Sequence, residues 1–252
     1  MEPLTLFESR EPPDEPDLEP IAAEIAGWQR EGMRILTVLN DDYPTNLRSV
    51  HDRPPFVFVR GELRPADDRS IAVIGTRHAS REGLRQTGVV AGGLAEAGLT
   101  VVSGLAEGID SAAHHAALER SRRTVAVIGT GLRRAYPARN AGLQERIAME
   151  GAVVSQFWPD APPTKASFPM RNVVMSGLAL GTVVIEAPNT SGARMQARLA
   201  LEHGRPVFLF ESLLRHEWAR AFAERPGAHV IERADDVIEL VERLTSLDAL
   251  TT

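Results

Sequence analysis

The 252-residue chain contains no cysteine, which excludes disulfides, thiol nucleophiles and thiolate metal sites. It contains a single lysine, Lys165, so arginine carries nearly all of the positive charge. No apolar run approaches the about 18 residues that a membrane-spanning helix needs. Met1–Arg10 has neither the basic start nor the apolar stretch of a signal peptide. These absences predict a cytoplasmic protein that does not enter membranes. No H-E-x-x-H or similar spacing surrounds the adjacent pair His114 and His115, so no metal site is expected, and no sequence feature calls for a cofactor.

Hydrophobic residues make up 43% of the chain and charged residues 25%, enough apolar material for one main domain with an appendage. The net charge of −6 is unevenly placed. Seven of the 34 acids and one of the 28 bases fall in the first 20 residues, so the rest of the chain is neutral. That first stretch also holds five prolines. It cannot bury enough apolar surface to offset its ordering entropy, and residues 1–20 are predicted to be a disordered acidic tail. Arg120 to Gln144 carries six arginines and no acid, so a neutral body can still present a basic face.

Residues 21–65 are expected to form a small lead-in subdomain: a helix, a strand at Arg34–Leu39, turn residues from Asn40 to Pro44, and a strand at Phe56–Arg60. From Ser70 the pattern alternates. Apolar runs at Ile71–Ile74, Thr100–Ser103, Thr124–Ile128, Ala152–Val154, Thr182–Glu186 and Pro206–Phe210 are separated by helical stretches, including Arg81–Ala97, Ala138–Met149, 170–179, Ser191–His203 and Leu213–Ala223. A last strand–helix pair lies near His229–Ile231 and Asp235–Leu244. Near-continuous Val/Ile strands alternating with helices predict an α/β fold. The expected form is a Rossmann-like, doubly wound and mostly parallel sheet covered on both faces over residues 66–252.

In such sheets ligands bind beyond the carboxyl ends of the strands, which directs attention to the residues just after them. Gly75-Thr76-Arg77 offers close backbone approach, outward N–H groups and a guanidinium suited to phosphate. The same segment suits a plain strand-to-helix turn, and without G-x-G-x-x-G it gives little support to dinucleotide binding. In Ser103-Gly104-Leu105-Ala106-Glu107-Gly108-Ile109-Asp110 two glycines bracket a tight loop, and Asp110 is expected to cap the following helix. His114 and His115 suit hydrogen-bonding groups on the helix surface, and one of the two is a candidate to face the pocket. Lys165, Phe168, Arg171 and Asn172 follow a long loop. Phe168 could stack on a base and Arg171 hold a phosphate, or Phe168 could fill the core while Arg171 pairs with Glu186. Ser191 or Thr190 can cap the helix that begins at Gly192, leaving its N-terminus to an anion.

Taken in order, these segments resemble the DNA-processing protein A (DprA, or Smf) family over roughly residues 43–210. The resemblance rests on Tyr43-Pro44 with Pro54–Gly61, Gly75-Thr76-Arg77, Ser103–Asp110, Ala113-His114 with Ala117-Leu118, and Tyr136-Pro137 with Asn140. It continues through Phe168-Pro169-Met170-Arg171-Asn172, Ser176-Gly177-Leu178, Val184-Ile185-Glu186-Ala187, Ser191-Gly192 and Gly204-Arg205. It implies a Rossmann-like core that binds single-stranded DNA without catalysis, hands it to a RecA-type recombinase during natural transformation, and dimerises. Carried onto this chain, it implies phosphate or nucleic-acid contacts from Gly75, Thr76, Arg77, Ser103, Gly104, Gly108, Asp110, His114, Lys165, Phe168, Arg171, Asn172, Ser191 and Gly192. Val173 stands where the family usually has a second arginine, and Ala193 where it has serine. The resemblance is to the family's core without its usual C-terminal winged-helix domain.

Two other readings fit the same fold. One is a nucleotide-sensing domain of a signalling or defence system. The other is a phosphoribohydrolase-like enzyme using Glu186, although the corner from Ala187 to Gly192 lacks that group's P-G-G-x-G-T loop. The DNA-binding reading predicts that Arg77→Ala and Arg171→Ala each weaken binding and leave the fold intact.

Overall fold

The computed structural model describes residues 18–189 and 191–248. The proposed acidic tail lies almost entirely outside them, as does Thr190. Among the described residues, Ser70–Ile74 (β3), Thr100–Ser103 (β4), Thr124–Val127 (β5), Ala152–Ser155 (β6), Gly181–Val184 (β7) and Val207–Phe210 (β8) are buried at every position. Small and β-branched side chains suit strands covered on both faces. Met33–Thr37 (β1), Phe56–Gly61 (β2) and Ala228–Ile231 (β9) complete one nine-stranded sheet of order β1-β2-β6-β5-β4-β3-β7-β8-β9. Every pairing from β6 to β9 across that order is parallel. β1 pairs antiparallel with β2, and β2 antiparallel with β6, so the lead-in strands extend the same sheet.

The helices are Glu19–Arg30 (α1), Thr45–Arg48 (α2), Arg81–Glu96 (α3), Ile109–Glu119 (α4), Ala141–Glu150 (α5), Ser167–Leu178 (α6), Gly192–Glu202 (α7), Glu217–Ala223 (α8) and Ala234–Asp248 (α9). The alternation along a strand divides the core. Ala72 and Ile74 of β3 pack with Val174 and Met175 of α6 and Ala197 and Ala200 of α7. Ile71 and Val73 pack on the other face with Val90 and Leu94 of α3 and Ala113 of α4. A third cluster joins Trp28 of α1 and Ile147 of α5 to Phe58 and Val153.

Two expected helices are broken. The stretch beginning at Ala138 opens as a 3-10 turn, Ala138–Asn140, where Asn140 Nδ2 donates to the Leu105 carbonyl at 2.9 Å and ties the turn to the loop after β4. The stretch beginning at Leu213 is a 3-10 turn, Glu211–Arg215, separated from α8 by His216 in extended conformation.

The chain winds outward from β3 through β4, β5 and β6, returns to place β7 on the other side of β3, and continues through β8 to β9. The strand order therefore reverses at β3, and a crevice opens outside the carboxyl ends at such a switch point.

Candidate nucleic-acid interface

A cleft of about 410 Å³ lies at that switch point. One wall is Gly75-Thr76-Arg77-His78 after β3, a second is the start of α6 (Phe168, Pro169, Arg171, Asn172), and a third is the start of α7 (Ser191, Gly192, Ala193). Ser191 is the N-cap of α7, its Oγ accepting from the Ala193 N–H at 3.2 Å. The Arg194 N–H bonds back to the Ser191 carbonyl at 3.2 Å, and Gly192 opens the helix on the cleft side, the end of a helix that favours an anion.

Arg77 is exposed at the mouth of the cleft, its guanidinium 5.2 Å from the centroid of the Phe168 ring. Phe168 is half-buried and also meets Tyr136, with ring centroids 5.6 Å apart. A cationic group over an aromatic face gives a surface on which a base can stack beside a phosphate ligand. Phe168 therefore lines the cleft instead of filling the core.

Arg171 is held in the opposite way. It is only 7% exposed, its Nη1 donates to the Val127 carbonyl at 3.0 Å, and its Nε has no partner within the protein. Its guanidinium lies directly against Gly104, in the space a Cβ there would occupy, so Gly104 has to be glycine for Arg171 to lie where it does. Its charge partner is Asp110, not Glu186. Burial acts to lower the pKa of Arg171 and the charge of Asp110 acts to raise it.

Asp110 corrects its sequence-based assignment. Gly108, not Asp110, occupies the N-cap position of α4. The Asp110 carboxylate instead receives backbone N–H groups of Ala106, Gly104 and Gly75, joining the turn after β3 to the loop after β4. Burial pushes this carboxyl above the usual range, while Arg171 and the three amides oppose that shift.

Three other expected contacts fall outside the cleft lining. Ser103 is fully buried and donates to the Val73 carbonyl at 2.7 Å, bracing β4 against β3. His114 is fully buried, its Nδ1 2.7 Å from Thr124 Oγ1. The Thr124 hydroxyl donates to the Val101 carbonyl and so accepts the His114 N–H. Burial, with the charges of His115 and Arg171, pushes His114 down to about 3, which keeps it neutral and removes it as a phosphate ligand. Lys165 is exposed on the approach to α6 and does not line the cleft. Gly108 serves the site indirectly: at φ 76° it packs against the Thr76 and Arg77 carbonyls, where a side chain would collide.

Glu186, the acid of the enzyme reading, is committed to structure. Its Oε2 accepts from the Ser80 N–H at 2.9 Å and from Ser80 Oγ at 3.0 Å at the start of α3, and its Oε1 lies 3.8 Å from Arg215. The arginine-rich run is also largely neutralised: Arg120 pairs with Glu96, Arg123 with Asp67, Arg133 with Glu31 and Asp160, and Arg139 with Glu107.

Sequence reasoning missed Gln196. It is 1% exposed and lines the cleft, and neither atom of its side-chain amide has a partner within the protein. Buried amides without partners are rare, which sets this one apart among the residues lining the cleft. One turn after Gly192 on a helix aimed at the switch point was the available signal. A second groove, of about 540 Å³, shares Ser191 and Met195 with the cleft and is lined by Arg194, Arg198, Arg225, Trp218 and Phe222.

The family model for DNA recombination-mediator protein A matches residues 34–242. The chain belongs to this family. The DNA processing protein DprA of Streptococcus pneumoniae is 42% identical over 172 residues, covering 68% of this chain and 61% of that protein. Protein Smf of Escherichia coli is 34% identical over 222 residues, covering 87% and 59%. The chain thus spans about three fifths of these relatives. The solved structure of the Streptococcus pneumoniae protein superposes with a TM-score of 0.76 at 36% identity, covering 85% of this chain and 77% of that one. The Helicobacter pylori DNA processing protein A, whose structure concerns its single-stranded DNA binding mode, superposes with a TM-score of 0.73 at 27% identity, covering 84% and 96%. The Rossmann-like, mostly parallel fold is therefore the fold of the family. Among the described residues no helix is long and apolar enough to cross a membrane.

Proposed function

We propose that this chain binds single-stranded DNA in the cleft at the switch point, acting as a cytoplasmic, non-catalytic DNA-processing protein. The observation that carries the reading is the convergence on one cleft of a helix N-terminus, an exposed arginine stacked on Phe168 and a buried arginine with a free Nε. In this reading Gly75, Thr76, Arg77, Gly192 and Ser191 hold phosphate, Phe168 stacks on a base, and Arg171, Asn172 and Gln196 line the floor. Gly104, Gly108 and Asp110 hold those groups in place. A strand leaving the cleft past Ser191 meets the groove of Trp218, Arg194 and Arg225, where Arg194 lies 5.1 Å from the Trp218 ring centroid.

The Helicobacter pylori relative supports the ligand class. Protection of the strand, its transfer to a RecA-type recombinase during DNA uptake, and a homodimeric state extend the same proposal. The enzyme reading loses its acid, because Glu186 is occupied at the start of α3.

The test is fluorescence-anisotropy titration with labelled poly-dT at low and moderate salt. Salt-sensitive binding that duplex DNA competes for poorly is the expected result. No binding at low salt sinks the proposal and directs attention to mononucleotides in the same cleft.

A further inference from the structure

At the opposite end of α7 from the cleft, the fold brings together residues that the sequence keeps far apart. His51 and Asp52 lie in the lead-in just before β2, and His203 follows the last residue of α7. One ligand atom from each lies within 4.8 Å of the other two. The His203 side chain is completely enclosed, with Nε2 2.8 Å from Asp52 Oδ1 and Nδ1 3.0 Å from Ser176 Oγ of α6. The His51 ring stands edge-to-face on His203, with centroids 5.8 Å apart.

We propose that His51, Asp52 and His203 form a binding site for a first-row divalent transition cation, with zinc as the best match. Two imidazoles and one carboxylate, with a fourth position left to water, are a donor set that suits zinc over calcium or magnesium, which prefer all-oxygen shells. Zinc–ligand bonds of about 2.0–2.2 Å place ligand atoms roughly 3–3.5 Å apart. Rotation of the exposed His51 and Asp52 side chains closes the present separation, while His203 already stands oriented. Ser176 provides the outer contact that metal-bound histidines characteristically have. With Ser176 Oγ against Nδ1, Nε2 is the nitrogen left to face the cation, on the side where Asp52 Oδ1 stands 2.8 Å away. Binding joins the lead-in to the C-terminal end of α7, the helix whose other end forms a wall of the cleft.

The site has no part in the DNA-binding proposal and is tested without DNA. Untagged, chelator-treated protein is titrated calorimetrically with zinc chloride, and its thermal unfolding is followed with and without the metal. One equivalent of zinc and a raised Tm are expected, because a ligand that binds only the folded state stabilises it. His51→Ala alters an exposed residue and should abolish both effects. His115→Ala, exposed on α4 and away from the cluster, should leave them unchanged. Ser176→Ala should weaken zinc by about 10–100-fold. An absence of stoichiometric binding in the parent protein overturns the proposal. So does a His51→Ala protein that still takes up one equivalent with the same rise in Tm.

Discussion

Arg77 and Arg171 line the same cleft from different elements, and the protein treats them differently. Arg77 sits in solvent at the end of β3 with its charge spread over Phe168. Arg171 is enclosed, anchored to the Val127 carbonyl, fitted against Gly104 and balanced by Asp110. An exposed arginine keeps its hydration and its freedom, so it contributes to binding and little to folding. A buried arginine has lost its water and must be satisfied by the fold itself, so folding and binding become inseparable there. Asp110 sits at that junction, since its carboxylate holds the amides of both strand-end loops and faces the buried guanidinium.

The largest effect is expected from Arg171→Ala. Removing the guanidinium leaves the Asp110 carboxylate buried without its counter-charge, at a stability cost on the order of 3 kcal/mol. Chemical denaturation should show that loss, and anisotropy should show DNA binding abolished. An unchanged unfolding midpoint would mean that Asp110 does not depend on Arg171. This revises the expectation from sequence that the variant keeps its fold intact.

Acid should expose the same buried electrostatics. Unfolded His114 takes a proton near its ordinary value, whereas the folded protein keeps it neutral down to about 3. Between those limits the unfolded state binds more protons, so stability falls as pH falls, by about 1.4 kcal/mol per pH unit when fully developed. Asp110 acts with the opposite sign, because burial raises its carboxyl and the folded state takes that proton first. Thermal melts of the parent protein from pH 7 to pH 4 should fall more steeply than those of His114→Gln. Parallel curves would remove His114 from the account.

Gly104→Ala sharpens the comparison without touching a charge. The new methyl occupies the space of the Arg171 guanidinium, and overpacking of this kind costs about 1–3 kcal/mol. DNA affinity should drop together with stability. A variant that keeps both would show that Arg171 has room to move.

The smallest structural effect belongs to Arg77→Ala, which should leave the melting curve in place. Binding should weaken, and the slope of log affinity against log salt should fall by about 0.7 for each phosphate that is no longer neutralised. An unaltered slope would place the phosphate elsewhere in the cleft.

Much of the fold was legible because its signals are local. Short Val/Ile runs ending in glycine turns marked the parallel strands, and the order of the motifs pointed to the family. The antiparallel attachment of β2 to β6 was not legible, since register between strands about 90 residues apart has no local signature. The segments forming the cleft could likewise be picked out, whereas inward and outward roles within them could not. Ser103 shares a motif with Gly104 and Asp110, and His114 follows it one turn on, yet both brace strands behind the site. Gln196 looked like any polar residue on a helix until α7 was packed against β7 with that face turned inward.

The sequence by itself determined the strand–helix alternation, the glycine turns at the strand ends and the family, because these follow from side-chain periodicity, backbone freedom and the order of motifs along the chain. Only the tertiary structure decided which charges are paired. It set the charge of Asp110 against Arg171, committed Glu186 to the start of α3, paired four of the six arginines of the 120–144 run with acids and brought His203 to His51 and Asp52. Charge pairing depends on separations of a few ångströms and on the loss of surrounding water, and both are set by packing between segments that are distant in the chain.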